Sequence, residues 1–268
     1  SGRDGEYIAR PRALAVTEFG PHNIIYHDGA QYRIQQVVLP VDQPEKRFTR
    51  ARLCSVCGHF YDGEGVDKSL CENCRSPLNT ADGGRYYESL LEMPMVNTRH
   101  AKRITAEEEE RTRQGYRTET VFQFAQVDGQ PSRRLAATRD AQGGGLLDLV
   151  YAPTARLWTI NHGLRRQQDD TGYRLDVATG RWLGREEEPG NPNALARGNV
   201  RLYVQNTANI LLVYAKPLQA NPAALLTLQY ALARGIQEVY QVEGNELHSE
   251  LIGKDGTLDW QRFIDAFP

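Results

Sequence analysis

Apolar and polar residues alternate along most of the chain, and a period of two is the mark of a strand with one buried face. The alternation covers 13–19 (ALAVTEF) and 23–39 (NIIYHDGAQYRIQQVVL), and Asp28-Gly29 between two such runs predicts a tight hairpin. Further strands are expected over 118–125, 133–138, 146–163 with a bend at Pro153, and 200–215. Hairpins are expected over 172–184, turning at Thr179-Gly180, and over 238–252, turning around Glu243-Gly244-Asn245.

Two segments break this rhythm. Residues 102–115 (KRITAEEEERTRQG) predict a helix: Thr105 with Glu108 fits a capping box, glutamates lead, arginines follow, and Gly115 stops it. Its four consecutive glutamates point in different directions on a helix, so dipole and solvation explain them better than a metal site. Residues 221–235 predict a second helix, with Asn221 as cap, Pro222 at its first position, an apolar stripe of Leu225, Leu228 and Leu232, and Gly235 as stop. The polar, glycine- and proline-containing stretch 185–199 reads as a connecting loop. Strands following one another through short turns argue for an α+β fold, mostly antiparallel β with a few helices and a four-cysteine knuckle inserted. The expected organisation is an N-terminal hairpin region over 1–45, a zinc-binding knuckle over 46–82 and an α+β body over 83–268, together one compact module.

Composition changes this picture little. At 268 residues, 40% hydrophobic and 25% charged, the chain has the make-up of a soluble globular protein. No apolar run is long enough to span a bilayer and the start, SGRDGEY, is no signal peptide, so a cytoplasmic location with no membrane partner is expected. The net charge of −2 predicts no strong global pull toward nucleic acid. Arginine far outnumbers lysine, which suits bidentate phosphate recognition and is equally explained by genomic composition bias.

The chemistry is concentrated in one place. All four cysteines lie in 54–74, CSVCGHFYDGEGVDKSLCENC, as two CxxC pairs. Each pair sets two thiolates across a tight turn, and two pairs complete a tetrahedral four-sulfur shell. Cys54, Cys57, Cys71 and Cys74 are therefore the expected ligands of a structural Zn2+, with Gly58 after the first knuckle where a left-handed residue is useful. Two disulfides compete with this reading, but nothing indicates secretion, and a redox site needs only one CxxC. His59 adjoins the set, although four sulfurs already fill the shell. Just upstream, KRFTRAR places Lys46, Arg47, Arg50 and Arg52 around Phe48. Cations and an aromatic beside a rigid knuckle suit a nucleic-acid backbone and its bases, and a solvated basic loop explains them as well. Arg165 and Arg166 form a second small basic patch.

Enzymatic signatures are missing. The chain has no GxxxxGK[ST] phosphate loop, no GxSxG elbow, no HExxH pair and no cysteine left over as a nucleophile, and its six histidines are scattered. No activity of its own is expected.

Several segments occur in a familiar order: RPRALAVTEFGPHNIIYHDGAQYRIQQV, the two CxxC knuckles, RITAEEEERTRQGYRTETVFQF, ARLWTINHGLRR, GYRLDVATGRW and NTANILLVYA…LLTLQYALARGI. Together, over about residues 10–252, they resemble the C-terminal zinc-binding region of large bacterial superfamily-two (DEAD/DEAH-type) helicases, related to the mitomycin repair factor helicase and to DISARM-type anti-phage helicases. Such domains commonly continue into a glycine-rich EGGAG-like segment, which this sequence lacks. The resemblance implies zinc on the four cysteines, helicase motor domains in cis or in trans, DNA as a partner, and a setting in phage defence or DNA repair. The rival expectation is a protein-interaction scaffold that docks a nuclease or methyltransferase partner without touching DNA.

Overall fold

The computed structural model describes residues 7–40, 44–80, 83–103, 115–165, 171–189, 196–218, 221–253 and 261–267. In chain order the elements are α1 (Arg12–Glu18), β1 (Ile24–His27), β2 (Ala30–Val37), β3 (Phe48–Cys54), β4 (Phe60–Asp62), β5 (Gly84–Glu92), β6 (Val96–Arg103) and β7 (Tyr116–Gln123). They continue with the short ribbon β8 (Gln126–Val127) and β9 (Gln130–Pro131), then β10 (Arg134–Arg139), β11 (Gly145–Leu164), β12 (Tyr173–Asp176) and β13 (Arg181–Leu183). The last are β14 (Ala196–Tyr214), α2 (Pro222–Tyr240), β15 (His248–Gly253) and β16 (Gln261–Phe267). This is the strand-rich α+β class that the alternation predicts. Contacts divide the chain into unit 1 (Ser1–Arg50, Tyr87–Glu119, Thr159–Gln205) and unit 2 (Ala51–Tyr86, Thr120–Trp158, Asn206–Pro268).

In unit 1, β1 and β2 form the expected hairpin, with Ile24 opposite Arg33 and His27 opposite Ala30. Asp28 and Gly29 both have positive φ, 46° and 68°, as a two-residue turn matched to strand twist requires. β6 runs antiparallel along β2, and β12 with β13 forms the second expected hairpin. Glycine is obligatory at its turn: Gly180 has φ +72°, and a Cβ there would lie 2.1 Å from the Val37 carbonyl oxygen. β12 also pairs with the first part of β14, which runs parallel to β5. The core beneath includes Ile34, Val37, Leu175, Trp182, Val200 and Leu202.

The segment expected as a strand over 13–19 is instead α1, Arg12–Glu18. The alternation read over 13–19 does not hold at its start, where Ala13–Val16 are four apolar residues in a row; Pro11 precedes the first turn, and Ala15 and Val16 are the residues the helix buries. Asn161 Nδ2 donates to the Val16 carbonyl at 2.8 Å, while Asn161 Oδ1 accepts from the Tyr173 hydroxyl at 2.8 Å. One buried amide thus ties the helix to β12.

In unit 2, β10 pairs with β11, β15 pairs with β16, and β16 pairs with the second part of β14, all antiparallel. The bend expected at Pro153 appears as a left-handed Thr154, φ 51°, whose N–H donates to Asn209 Oδ1 at 3.0 Å. β11 continues through it. Phe122, Phe124, Ala152, Ile210 and Leu212 form this unit's core.

Helix α2 begins as expected: Asn221 caps it, its Oδ1 accepting from Ala224 N at 3.1 Å, and Pro222 follows. It does not stop at Gly235 but runs to Tyr240 and ends at a left-handed Gln241, φ 55°. A mid-helix glycine costs about 1 kcal/mol, which the next turn recovers through half-buried Ile236 and the Arg234–Glu238 ion pair at 2.9 Å. The hairpin expected over 238–252 is accordingly corrected: 238–240 finish the helix and only β15 remains a strand. Of the helix expected over 102–115, residues 102–103 end β6 and 104–114 lie outside the described residues, as do 190–195 of the expected loop.

Candidate metal centre

The two CxxC segments fold into the same turn twice. In the first, Gly58 N donates to Cys54 O at 2.8 Å and Gly58 has φ 65°; in the second, Arg75 N donates to Cys71 O at 2.9 Å and Arg75 has φ 63°. Each turn thus reverses through a left-handed residue placed directly after its second cysteine. Closing bonds return the chain: Cys54 N donates to His59 O at 2.9 Å, and Cys71 N to Ser76 O at 2.9 Å.

The result is a four-sulfur cage. All four Sγ atoms lie within 4.8 Å of one another. Two of the separations cross between the turns, 3.6 Å for Cys54–Cys74 and 3.4 Å for Cys57–Cys71. A tetrahedral zinc with bonds of about 2.3 Å sets its sulfurs roughly 3.8 Å apart, whereas a disulfide needs about 2.05 Å. The four thiols are free, Cys54, Cys57 and Cys71 are buried, and Cys74 is half-buried. This donor set and spacing fit a soft, tetrahedral ion, and the competing disulfide reading fails on distance.

The cage has its own apolar wall, Tyr61, Leu78 and half-buried Val56. Tyr61 also carries a polar role: its hydroxyl donates to Cys71 Sγ at 3.3 Å and accepts from Glu72 N at 2.7 Å. Burial, then the charge at Cys71, raises the Tyr61 pKa, so the phenol keeps its proton and remains a donor. Hydrogen bonds from Cys54, Cys57 and Cys71 pull Cys74 below the usual thiol range. Those from Cys54 and Cys57 lower Cys71 to about 7. Cys54 moves the other way: the lowering by its hydrogen bond with Cys57 is outweighed by those with Cys71 and Cys74 and by burial, so its thiol is pushed up and the set shares its protons unevenly until a cation displaces them.

His59 is buried and does not join the sulfurs. Its Nε2 accepts from Phe124 N at 3.2 Å, and its ring packs against Tyr61, Phe122 and Phe124 at 4.6, 5.4 and 4.8 Å between centroids. The second turn is anchored separately. Arg133 donates to Asn73 Oδ1 at 2.6 Å and to Glu72 O at 3.1 Å, and Asn73 Nδ2 donates to the Tyr214 hydroxyl at 3.0 Å. The sequence pattern revealed the four clustered cysteines but not Tyr61 or Arg133. A tyrosine four residues after the first knuckle was a visible signal; nothing in the sequence marks Arg133.

The expected nucleic-acid residues are placed differently from one another. Lys46 and Arg47 are exposed at the end of a single 3-10 turn, Pro44–Arg47, and Arg50 is exposed on β3. Phe48 is half-buried against the unit 1 core, with the Arg197 guanidinium 4.0 Å from its ring centre. Arg197 in turn pairs with Glu45 and donates to Ser89 Oγ at 2.9 Å. Arg52, in unit 2, is half-buried with its guanidinium 5.7 Å from the Tyr86 ring centre. Arg165 is exposed, and its Nε donates to Tyr116 O at 3.1 Å; Arg166 lies outside the described residues.

A buried polar group that the sequence did not announce sits in unit 1. His162 Nε2 lies 2.9 Å from Glu119 Oε2, which also accepts from the Tyr87 hydroxyl at 3.3 Å. Arg201 stands 5.4 Å from the Tyr87 ring centre. Among the described residues no helix is long and apolar enough to cross a membrane. Set against protein-family models, curated proteins and solved structures, the chain matches none of them.

Proposed function

We propose that the chain is a non-catalytic zinc-binding module that serves a bacterial DNA helicase or translocase, in phage defence or DNA repair. In this reading it works in the cytoplasm, contacting DNA or bracing the motor. The observation that carries the zinc half is the four-sulfur cage: four thiols at tetrahedral spacing leave no open coordination position, so the ion has a structural role. Zinc here would link the two turns across the cage. X-ray absorption should return four sulfurs at about 2.3 Å and no light ligand.

Support for the nucleic-acid half comes from two sources. One is the order of motifs along the sequence. The other is Lys46, Arg47 and Arg50, exposed within five residues and without a carboxylate partner among the described residues. The test is fluorescence anisotropy of the 268-residue chain with short labelled single-stranded and duplex DNA. Replacing Arg47, Arg50 and Arg52 with alanine should weaken binding about equally on unrelated sequences, because phosphate contacts carry no sequence information. No binding at low salt would reject DNA contact.

One observation favours the scaffold reading. Leu226, Tyr230, Val239 and Tyr240 on α2 are 41, 72, 74 and 66% exposed, large apolar side chains that a partner protein could cover. A partner protein retained when DNA binding is absent would support it.

A further inference from the structure

We propose that the solvent face of the β1–β2–β6 sheet in unit 1 binds the phosphodiester backbone of a nucleic acid, with Arg33 and Arg99 holding one phosphate between them. The inference rests on the reading that the chain contacts nucleic acid, but it places a contact on residues which that reading does not use.

The register makes the case. β2 alternates, so that Ile34 is fully buried in the unit 1 core while Arg33 faces solvent. The pairing of β2 with β6 sets Arg33 directly opposite Arg99, which is also exposed. Side chains opposite one another across two antiparallel strands are about 5 Å apart at Cβ, and like charges there destabilise the pair. Neither guanidinium has a carboxylate partner among the described residues. The three strands, IIYH, AQYRIQQV and VNTRHAKR, contain no aspartate or glutamate, and Lys102 and Arg103 end the last of them. The hairpin's one acid, Asp28, is at the turn, at the other end of the β1–β2 ladder from the Ile24–Arg33 pair. Arg33's charge also reaches His22: burial lowers the His22 pKa, and Arg33 lowers it further.

A shared anion removes this repulsion. Two guanidinium forks carried on directly paired residues of neighbouring strands can reach the tetrahedral oxygens of one phosphate, which arginine binds in bidentate fashion. β6 bonds to β2 and to no other strand among the described residues, so its far edge leaves an extended backbone free to approach. Cations on an edge strand also discourage edge-to-edge aggregation. That role calls for cations dispersed along the edge, and it gives no reason for two arginines to face each other on the sheet.

The experiment compares wild type, Arg33→Gln/Arg99→Gln and Arg47→Ala/Arg50→Ala/Arg52→Ala in the anisotropy assay over a salt series, with a melting curve for each. Each released counterion contributes about 0.7–0.9 log units of affinity per tenfold change in salt. With one phosphate released, the double glutamine variant should therefore lose roughly 5- to 8-fold in affinity near 0.1 M salt, with the log–log slope shallower by about 0.7–0.9. Its melting temperature without DNA should be unchanged or higher, because a repulsive pair has gone. An arginine pair serving only the fold would lower it. DNA binding that ignores the double variant but responds to the triple one overturns this inference and leaves the nucleic-acid reading intact. Absence of wild-type binding to both DNA forms overturns the two together.

Discussion

Tyr61→Phe removes one oxygen from the wall of the four-sulfur cage and leaves the ring in place. The ring contacts with His59 at 4.6 Å and with the Lys68 ammonium at 5.8 Å persist, so no cavity opens. Two hydrogen bonds are lost, from the phenol to Cys71 Sγ and from Glu72 N to the phenol. The first is the one that zinc binding strengthens, because a metal-bound Cys71 is a full thiolate. A hydrogen bond to a charged group is worth about 1.5–3 kcal/mol. A loss of about 2 kcal/mol corresponds to roughly 30-fold in zinc affinity, within the range of about 10- to 100-fold for partners of metal ligands. Competition against a chromophoric chelator measures it, with free thiols counted before and after. A dissociation constant within about threefold of wild type, on a protein with all four thiols intact, would refute the role given to Tyr61.

Other consequences follow from backbone and proton chemistry. Arg75 occupies the left-handed position that Gly58 fills in the other turn, so Arg75→Gly should stabilise the zinc-loaded protein by about 0.5–1 kcal/mol. Gly58→Ala should destabilise it by at least as much, both read from denaturant melts. Gly180→Ala should cost about 2 kcal/mol or more, since the new Cβ would meet the Val37 carbonyl at a φ of +72°; an unchanged melting temperature would contradict the turn geometry. Cys71 is lowered in the fold, so its thiolate stabilises the metal-free protein above the usual thiol pKa, and that contribution disappears as pH falls through about 7. Zinc uptake displaces protons too, so apparent affinity should weaken steadily as pH drops through about 7, and chelation should cost Cys54–Leu78 its hydrogen-exchange protection before the sheet of unit 1 loses its own.

What could be read in the sequence, and what could not, divides along a physical line. Local chemistry was legible. The paired CxxC spacing located all four sulfurs, Asp28-Gly29 located a hairpin because two adjacent positive-φ residues are rarely anything else, and Asn221-Pro222 located the start of α2. Features decided by distant residues were not. The residues 13–19 carry too short an apolar run for period alone to choose between strand and helix, and the choice was settled by burial of Ala15 and Val16 and by the Asn161 amide, 145 positions away. Gly235 has the form of a helix stop, but Ile236 and the Arg234–Glu238 pair carry α2 onward. Phe48 illustrates the same limit at the candidate DNA contact: its position among cations suggested a free ring for stacking, and Arg197, from a remote strand, covers it.

The central claim is that Cys54, Cys57, Cys71 and Cys74 form a closed zinc site, and native mass spectrometry of the freshly purified chain tests it most directly. The account predicts a mass increase of one zinc per chain less the protons released, with all four thiols resistant to alkylation until a chelator is added. A metal-free chain that alkylates at once, or one that carries disulfides in place of the ion, would contradict it.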